Sequence, residues 1–160
     1  MDNSRARPQS AVMKSRSPRI AVRALLHDAR DRLLIVNAYP GARLDLWCAP
    51  GGGVEPGTSL PDNLIREMQE ETGLTVTVGA PALVNEFHDP DTGFHQVDIY
   101  FRCTARGPMP ETWRDPEGVV SHRRFVTREE LARLRHKPDS LGPAAWGEGL
   151  LYDPLEVILK

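Results

Sequence analysis

Between Arg66 and Leu74 the chain reads Arg-Glu-Met-Gln-Glu-Glu-Thr-Gly-Leu. On a helix, Glu67, Glu70 and Glu71 stand at i, i+3 and i+4, within an arc of roughly 100° on one face. Like charges at that spacing repel, so a helix built only for stability avoids them. A divalent cation removes the repulsion. Carboxylate oxygens without a neighbouring His or Cys suit Mg²⁺ or Mn²⁺ rather than Zn²⁺. Mg²⁺ keeps several waters and draws other ligands from substrate phosphates. Arg66, adjacent in sequence, can pair with one carboxylate and fix its rotamer. The ordinary alternative, a solvated Glu-rich face, is weakened by what precedes the helix.

Pro50-Gly51-Gly52-Gly53 lets backbone approach a phosphate, and Pro56-Gly57 is a turn signal. Thr58 or Ser59 can cap the helix, and Ser59 with Asp62 makes a variant capping box. The spacing predicts a helix from Ser59 to Thr72, closed by Gly73. Its N-terminus adds positive potential. Leu64, Ile65 and Met68 form an adjoining apolar arc that packs on a core.

The segment resembles the signature of the Nudix hydrolases: Gly, five residues, Glu, seven residues, then Arg-Glu-aliphatic-x-Glu-Glu-x-Gly-aliphatic. Gly52 is the first Gly, and Arg66, Glu67, Met68, Glu70, Glu71, Gly73 and Leu74 match the second half. Thr58 replaces the isolated Glu. A Glu there would add negative charge near the metals or pair with Arg66, whereas threonine supplies no charge. The resemblance implies an α/β fold, a Nudix-type α/β/α sandwich with a mixed β-sheet. It also implies a Mg²⁺-dependent pyrophosphohydrolase. Glu67, Glu70 and Glu71 would hold Mg²⁺ (or Mn²⁺), joined by the backbone carbonyl of Gly51. The metals would neutralise the diphosphate and activate a water for in-line attack. Glu70 is the candidate base within the signature. Related enzymes often recruit a carboxylate from a later loop, and Glu86, Asp89, Asp91, Asp98, Asp115 and Glu117 are available. Glu117 is preferred because Trp113–Gly118 reads as a loop before a strand.

Substrate choice lies outside the signature. Pro90 stands 16 residues after Leu74 (90 − 74), an offset that resembles the ADP-ribose hydrolysing subgroup. ADP-ribose or another nucleoside diphosphate sugar is therefore favoured. Nucleoside triphosphates and dinucleoside polyphosphates are the alternatives. Phe87, Phe94 and Trp113 are candidates to stack on a base. Tyr100 is another, with core packing as its competing role. Arg23, Arg43 and Arg102 are candidates to meet outer phosphates. A non-catalytic nucleotide sensor on the same fold is a different class, disfavoured because the three carboxylates and Arg66 are all retained. His88, Asp89, Asp91 and His95 read as a β-turn rather than a second metal site.

The flanking elements follow from periodicity and punctuation. Arg19–Leu26 and Leu33–Ala38 read as strands forming a hairpin. Tyr39–Asp45 is a loop, and Leu46–Pro50 a short strand with Trp47 and Cys48 as core residues. Leu74–Phe87 is strand bent near Gly79–Pro81, and Gln96–Thr104 and Val119–Val126 are further strands. Thr127 caps a short helix over Arg128–Leu134, with Glu130 completing a capping box. Leu155–Leu159 is expected to be a last short helix. Helices on both faces of a mixed sheet fit this order.

The 160 residues suit one domain, with 40% hydrophobic and 26% charged residues. Residues 1–18, rich in Ser, Arg and Pro, read as a disordered tail, and 19–160 as a single domain. A net charge of −2 gives no basic field, so nucleic acid is not the expected partner. A small nucleotide is. No apolar run is long enough to span a membrane. Two solitary cysteines, Cys48 and Cys103, suit a reducing, cytoplasmic setting. Dimers are frequent in the family, which keeps a homodimer open.

Overall fold

The computed structural model describes residues 17–37 and 45–158. Most of the expected tail, the loop from Tyr39, Arg43 and Leu159 lie outside the described residues. Ten elements follow in order. They are β1 (Arg19–Leu26), β2 (Leu33–Val36), β3 (Gly51–Gly53), α1 (Leu60–Thr72), β4 (Val76–Asp89), β5 (Phe94–Ala105), β6 (Arg123–Val126), α2 (Arg128–Arg133), α3 (Leu141–Ala145) and β7 (Leu151–Val157).

A mixed five-stranded sheet runs β3-β1-β5-β4-β7. β1 lies parallel to β5 and antiparallel to β3, while β4 is antiparallel to β5 and parallel to β7. Strand alternation gives the sheet two apolar faces. Val22, Ala24 and Leu26 of β1 pack with Leu64 and Met68 of α1. Leu25, one residue out of phase, packs with Leu131 of α2 and Leu141 of α3. The result is a three-layer α/β/α arrangement with the mixed sheet between the helices. No helix among the described residues is long and apolar enough to cross a membrane.

Two expectations are corrected. β1 and β2 do not form a hairpin: their pairing stops at one bridge, His27 with Leu33, and β2 pairs antiparallel with β6 in a separate two-stranded sheet. The turn explains this. Asp28 Oδ1 accepts the backbone N–H groups of Arg30 and Arg32, and Asp31 adopts a φ of 59°. All four β2 residues are buried, with Leu33 and Ile35 in one core and Leu34 in the other. A strand buried on both faces carries no alternation to name its partner. Over Leu155–Val157 the expected helix is instead the end of β7, where pairing with β4 supplies the backbone partners. The brief α3 was not expected. The bend near Gly79–Pro81 does occur, as register shifts between Val78, Pro81 and Leu83.

Candidate active site

The ends of α1 follow the sequence signals. Ser59 Oγ accepts the Asp62 N–H at 3.1 Å, and Gly73 closes the helix with φ 77°. The last carbonyls of a helix lack internal partners, and distant residues meet them here. Trp113 Nε1 donates to the Glu70 carbonyl at 2.8 Å. Arg123 donates to the Thr72 carbonyl and lies over the Trp113 ring at 4.8 Å. Trp113 therefore braces α1 from outside, with one ring face covered by the Arg123 guanidinium.

Glu67 and Glu71 are buried on the side of α1 that meets β3. Gly51 donates its N–H to Glu71 Oε2 at 2.8 Å. Gly52 sits so close to Glu67 that a Cβ there would lie 2.5 Å from the carboxyl carbon, so a side chain at Gly52 would push that carboxylate from its place. Arg66 Nη1 lies 3.1 Å from Glu67 Oε1 and 3.2 Å from Glu70 Oε2. The guanidinium thus holds two of the three carboxylates. Burial raises the Glu67 carboxyl above its ordinary value; Arg66 opposes this, while Glu70 and Glu117 reinforce it. Burial pushes Glu71 up to about 8, against the pull of Arg23 and the Gly51 N–H. Glu67 and Asp115 add to the rise. These acids face one another in a dry setting with too little positive charge.

The fit to a divalent cation rests on that deficit and on oxygen donors alone. Among the described residues no three acidic, His or Cys side chains form a ready-made cage. Arg66 stands between Glu67 and Glu70 instead, so the site as folded is a set of carboxylates tethered by an arginine.

The later carboxylates sort clearly. Asp98 is buried and paired with Arg23 Nε at 3.2 Å. Glu86 accepts the Tyr152 hydroxyl at 2.5 Å. Asp89 Oδ1 accepts the Asp91 N–H in the β4–β5 turn that contains Pro90. Asp115 and Glu117 act on the site. The buried Asp115 carboxylate accepts N–H groups of Glu117, Val119 and Val120 at 2.9–3.1 Å, which shapes the loop carrying the exposed Glu117. Asp115 is an organiser that its residue type alone did not distinguish from the other candidates.

A cleft opens on the face of the sheet opposite α1. Arg23, Asn85, Phe87, Asp98, Lys137 and Glu156 are among its lining residues. Arg23 pairs in register with Gly51 and interacts electrostatically with Glu71, so it joins cleft and cluster. Phe87 lines the cleft, and Phe94 packs on it with ring centroids 6.0 Å apart. Tyr100 is a buried core residue of the cleft floor rather than an open stacking face. Arg102 donates to the carbonyls of Ala144 and Gly149, away from the carboxylates.

Nucleoside diphosphate-linked moiety X motif 6 of Mus musculus is 26% identical over 117 residues, covering 73% of this chain and 37% of that protein. Diphosphoinositol polyphosphate phosphohydrolase 3-alpha of Homo sapiens is 27% identical over 115 residues, covering 69% of this chain and 65% of that protein. The chain thus spans less than two thirds of the length of either relative. A solved Nudix hydrolase from Nitrosomonas europaea superposes with a TM-score of 0.68 at 19% identity, over 80% of this chain and 86% of that one. The family model of the NUDIX domain matches residues 17–146, and with it the chain belongs to the Nudix family.

Proposed function

We propose that this chain is a divalent-metal-dependent hydrolase that splits the diphosphate linkage of a nucleoside diphosphate derivative. The observation that carries the proposal is the pair of buried carboxylates, Glu67 and Glu71, set against the backbone of Gly51 and Gly52. Glu67, Glu70, Glu71 and the Gly51 carbonyl would hold Mg²⁺ or Mn²⁺, which would supply neutralisation of the diphosphate and activation of water. Arg66 orients Glu67 and Glu70. Glu70 already serves Arg66, whereas the Glu117 carboxylate makes no hydrogen bond or ion pair with a described residue. Glu117 is therefore our choice to accept the proton from the attacking water, and the Asp115 turn holds it in reach. Arg23 offers a buried guanidinium at the junction of cleft and cluster, suited to a phosphate oxygen.

The cleft bears on substrate class. Among the described residues its cations are Arg23 and Lys137, and each stands beside a carboxylate, Asp98 and Glu156. A densely phosphorylated ring of the kind named for the human relative would find little unneutralised positive charge there. A nucleoside or sugar moiety, held by Phe87 and by amide and carboxylate groups, fits better. Within that class ADP-ribose and other nucleotide sugars stay ahead of triphosphates on the Pro90 offset. Cys48 and Cys103 are buried free thiols, which supports a reducing, cytoplasmic setting. Residues 19–160 are read as a single catalytic domain.

Cleavage with Mg²⁺ across ADP-ribose, other nucleotide sugars, nucleoside triphosphates, diadenosine polyphosphates and a diphosphoinositol phosphate tests the proposal, with chelator as blank. AMP plus ribose phosphate from ADP-ribose is the expected result. Preference for the diphosphoinositol substrate would overturn the substrate class, and binding without turnover would favour a sensor.

A further inference from the structure

Thr58 breaks the carboxylate pattern of the signature, and the residues around it show how Arg66 is held instead. Asn63, in the first turn of α1, is fully buried. Its side-chain oxygen accepts the Glu55 N–H at 2.9 Å. Its side-chain amide donates to the carbonyls of Thr58 and Ser59 at 3.0 and 2.7 Å. The Thr58 N–H donates to the Glu55 carbonyl at 3.3 Å and closes the turn. One buried amide therefore pins both ends of the segment from Glu55 to Ser59. The pinned segment delivers the Glu55 carboxylate to Arg66, Oε1 to Nη2, at 3.7 Å. The exposed Thr58 side chain makes no hydrogen bond with a described residue.

We propose that Glu55, held by Asn63, is a positioning residue for Arg66 and supplies from three positions upstream the carboxylate that Thr58 lacks. The guanidinium is a planar fork with donors on fixed sides. Nη1 is taken by Glu67 and Glu70. Nη2 faces the Gly53 carbonyl, the Asn63 side-chain oxygen and Glu55. Of the Nη2 partners Glu55 alone is anionic. It opposes the two carboxylates on Nη1 and keeps the fork from swinging wholly toward them. Glu67 and Glu70 then share one arginine in one orientation. With its side chain 66% exposed, Glu55 acts weakly as a lone ion pair. Its effect depends on being presented by a buried amide rather than by a free loop.

The inference rests on the proposed function only in taking Glu67 and Glu70 as working carboxylates, and its test is separable. The variants are E55Q, T58E and E55Q/T58E, all at exposed positions. Wild type and E55Q/T58E should show slow exchange of the Arg66 guanidinium protons in nitrogen-15 NMR, with E55Q faster. E55Q should lower kcat about two- to fivefold with KM little changed. T58E alone should change the rate less than tenfold, because Glu55 already does the work. Added to E55Q, it should recover most of the lost rate. Unchanged exchange in E55Q, or failure of T58E to restore it, would overturn the role of Glu55. The NMR comparison needs neither metal nor substrate, so a wild type without turnover refutes the function and still decides the inference.

Discussion

In α2, Glu130 follows Arg128 and Glu129, and in α1, Glu67, Glu70 and Glu71 follow Arg66. The sequences look alike; the surroundings do not. Glu130 sits at the N-terminus of its helix, at the surface, and its carboxylate accepts the Thr127 N–H while Thr127 Oγ1 accepts its own. That backbone hydrogen bond holds the Glu130 carboxyl below its ordinary value. Glu67 and Glu71 lie in the second half of α1, far from the favourable end of the helix dipole, and burial raises both. One acid finishes a cap and is satisfied. The other two are held in a state that a cation would relieve. Position along the helix and cover above it, not residue type, separate the structural glutamate from the two proposed as metal ligands.

Substitutions test that contrast most severely. Glu70→Gln and Glu71→Gln should each reduce turnover by about 10² or more, measured as kcat at saturating Mg²⁺. Near-normal rates in both would remove the metal assignment. Glu130→Gln should leave kcat unchanged.

Next in size is a difference in pH response. Glu71 titrates at about 8 in the folded chain against an ordinary 4.5. Between those values the folded state binds more protons than the unfolded one, so raising the pH favours unfolding. Without added metal, stability to urea should fall as pH rises from about 4.5 through about 8, and the slope should flatten in Glu71→Gln. A slope unaffected by that substitution would contradict the burial account. Glu130 shifts the other way, so its contribution is lost as pH falls through its folded value.

Smaller still is Thr127→Ala, which removes the α2 cap. It should cost about 1 kcal/mol of stability with kcat intact, read from denaturant melts and initial rates. A loss of activity beyond twofold would mean that α2 reaches the site.

The same contrast marks what the sequence could reveal. Ser59, Gly73, Arg66 and the three glutamates carry local rules, because caps and helical spacing act within a few residues. The capping box at Thr127 and Glu130 was legible for that reason. Asn63, Trp113, Asp115 and the Arg23–Asp98 pair were not, because their partners lie elsewhere in the fold or depend on a loop's path. Nothing near Trp113 says that its indole will cap Glu70, 43 residues earlier. The pairing of β2 with β6 was hidden by a run without alternation. Leu155–Leu159 reads as a short helix following Pro154, although an edge strand such as β7 tolerates proline.

Mn²⁺ titration by electron paramagnetic resonance of the wild type, Glu71→Gln and Glu130→Gln, side by side, tests the central claim most directly. The account predicts equal affinity in the wild type and Glu130→Gln, and at least about tenfold weaker binding in Glu71→Gln. Wild-type affinity in Glu71→Gln, or equal weakening in both variants, would show that the buried carboxylates of α1 are not the metal site.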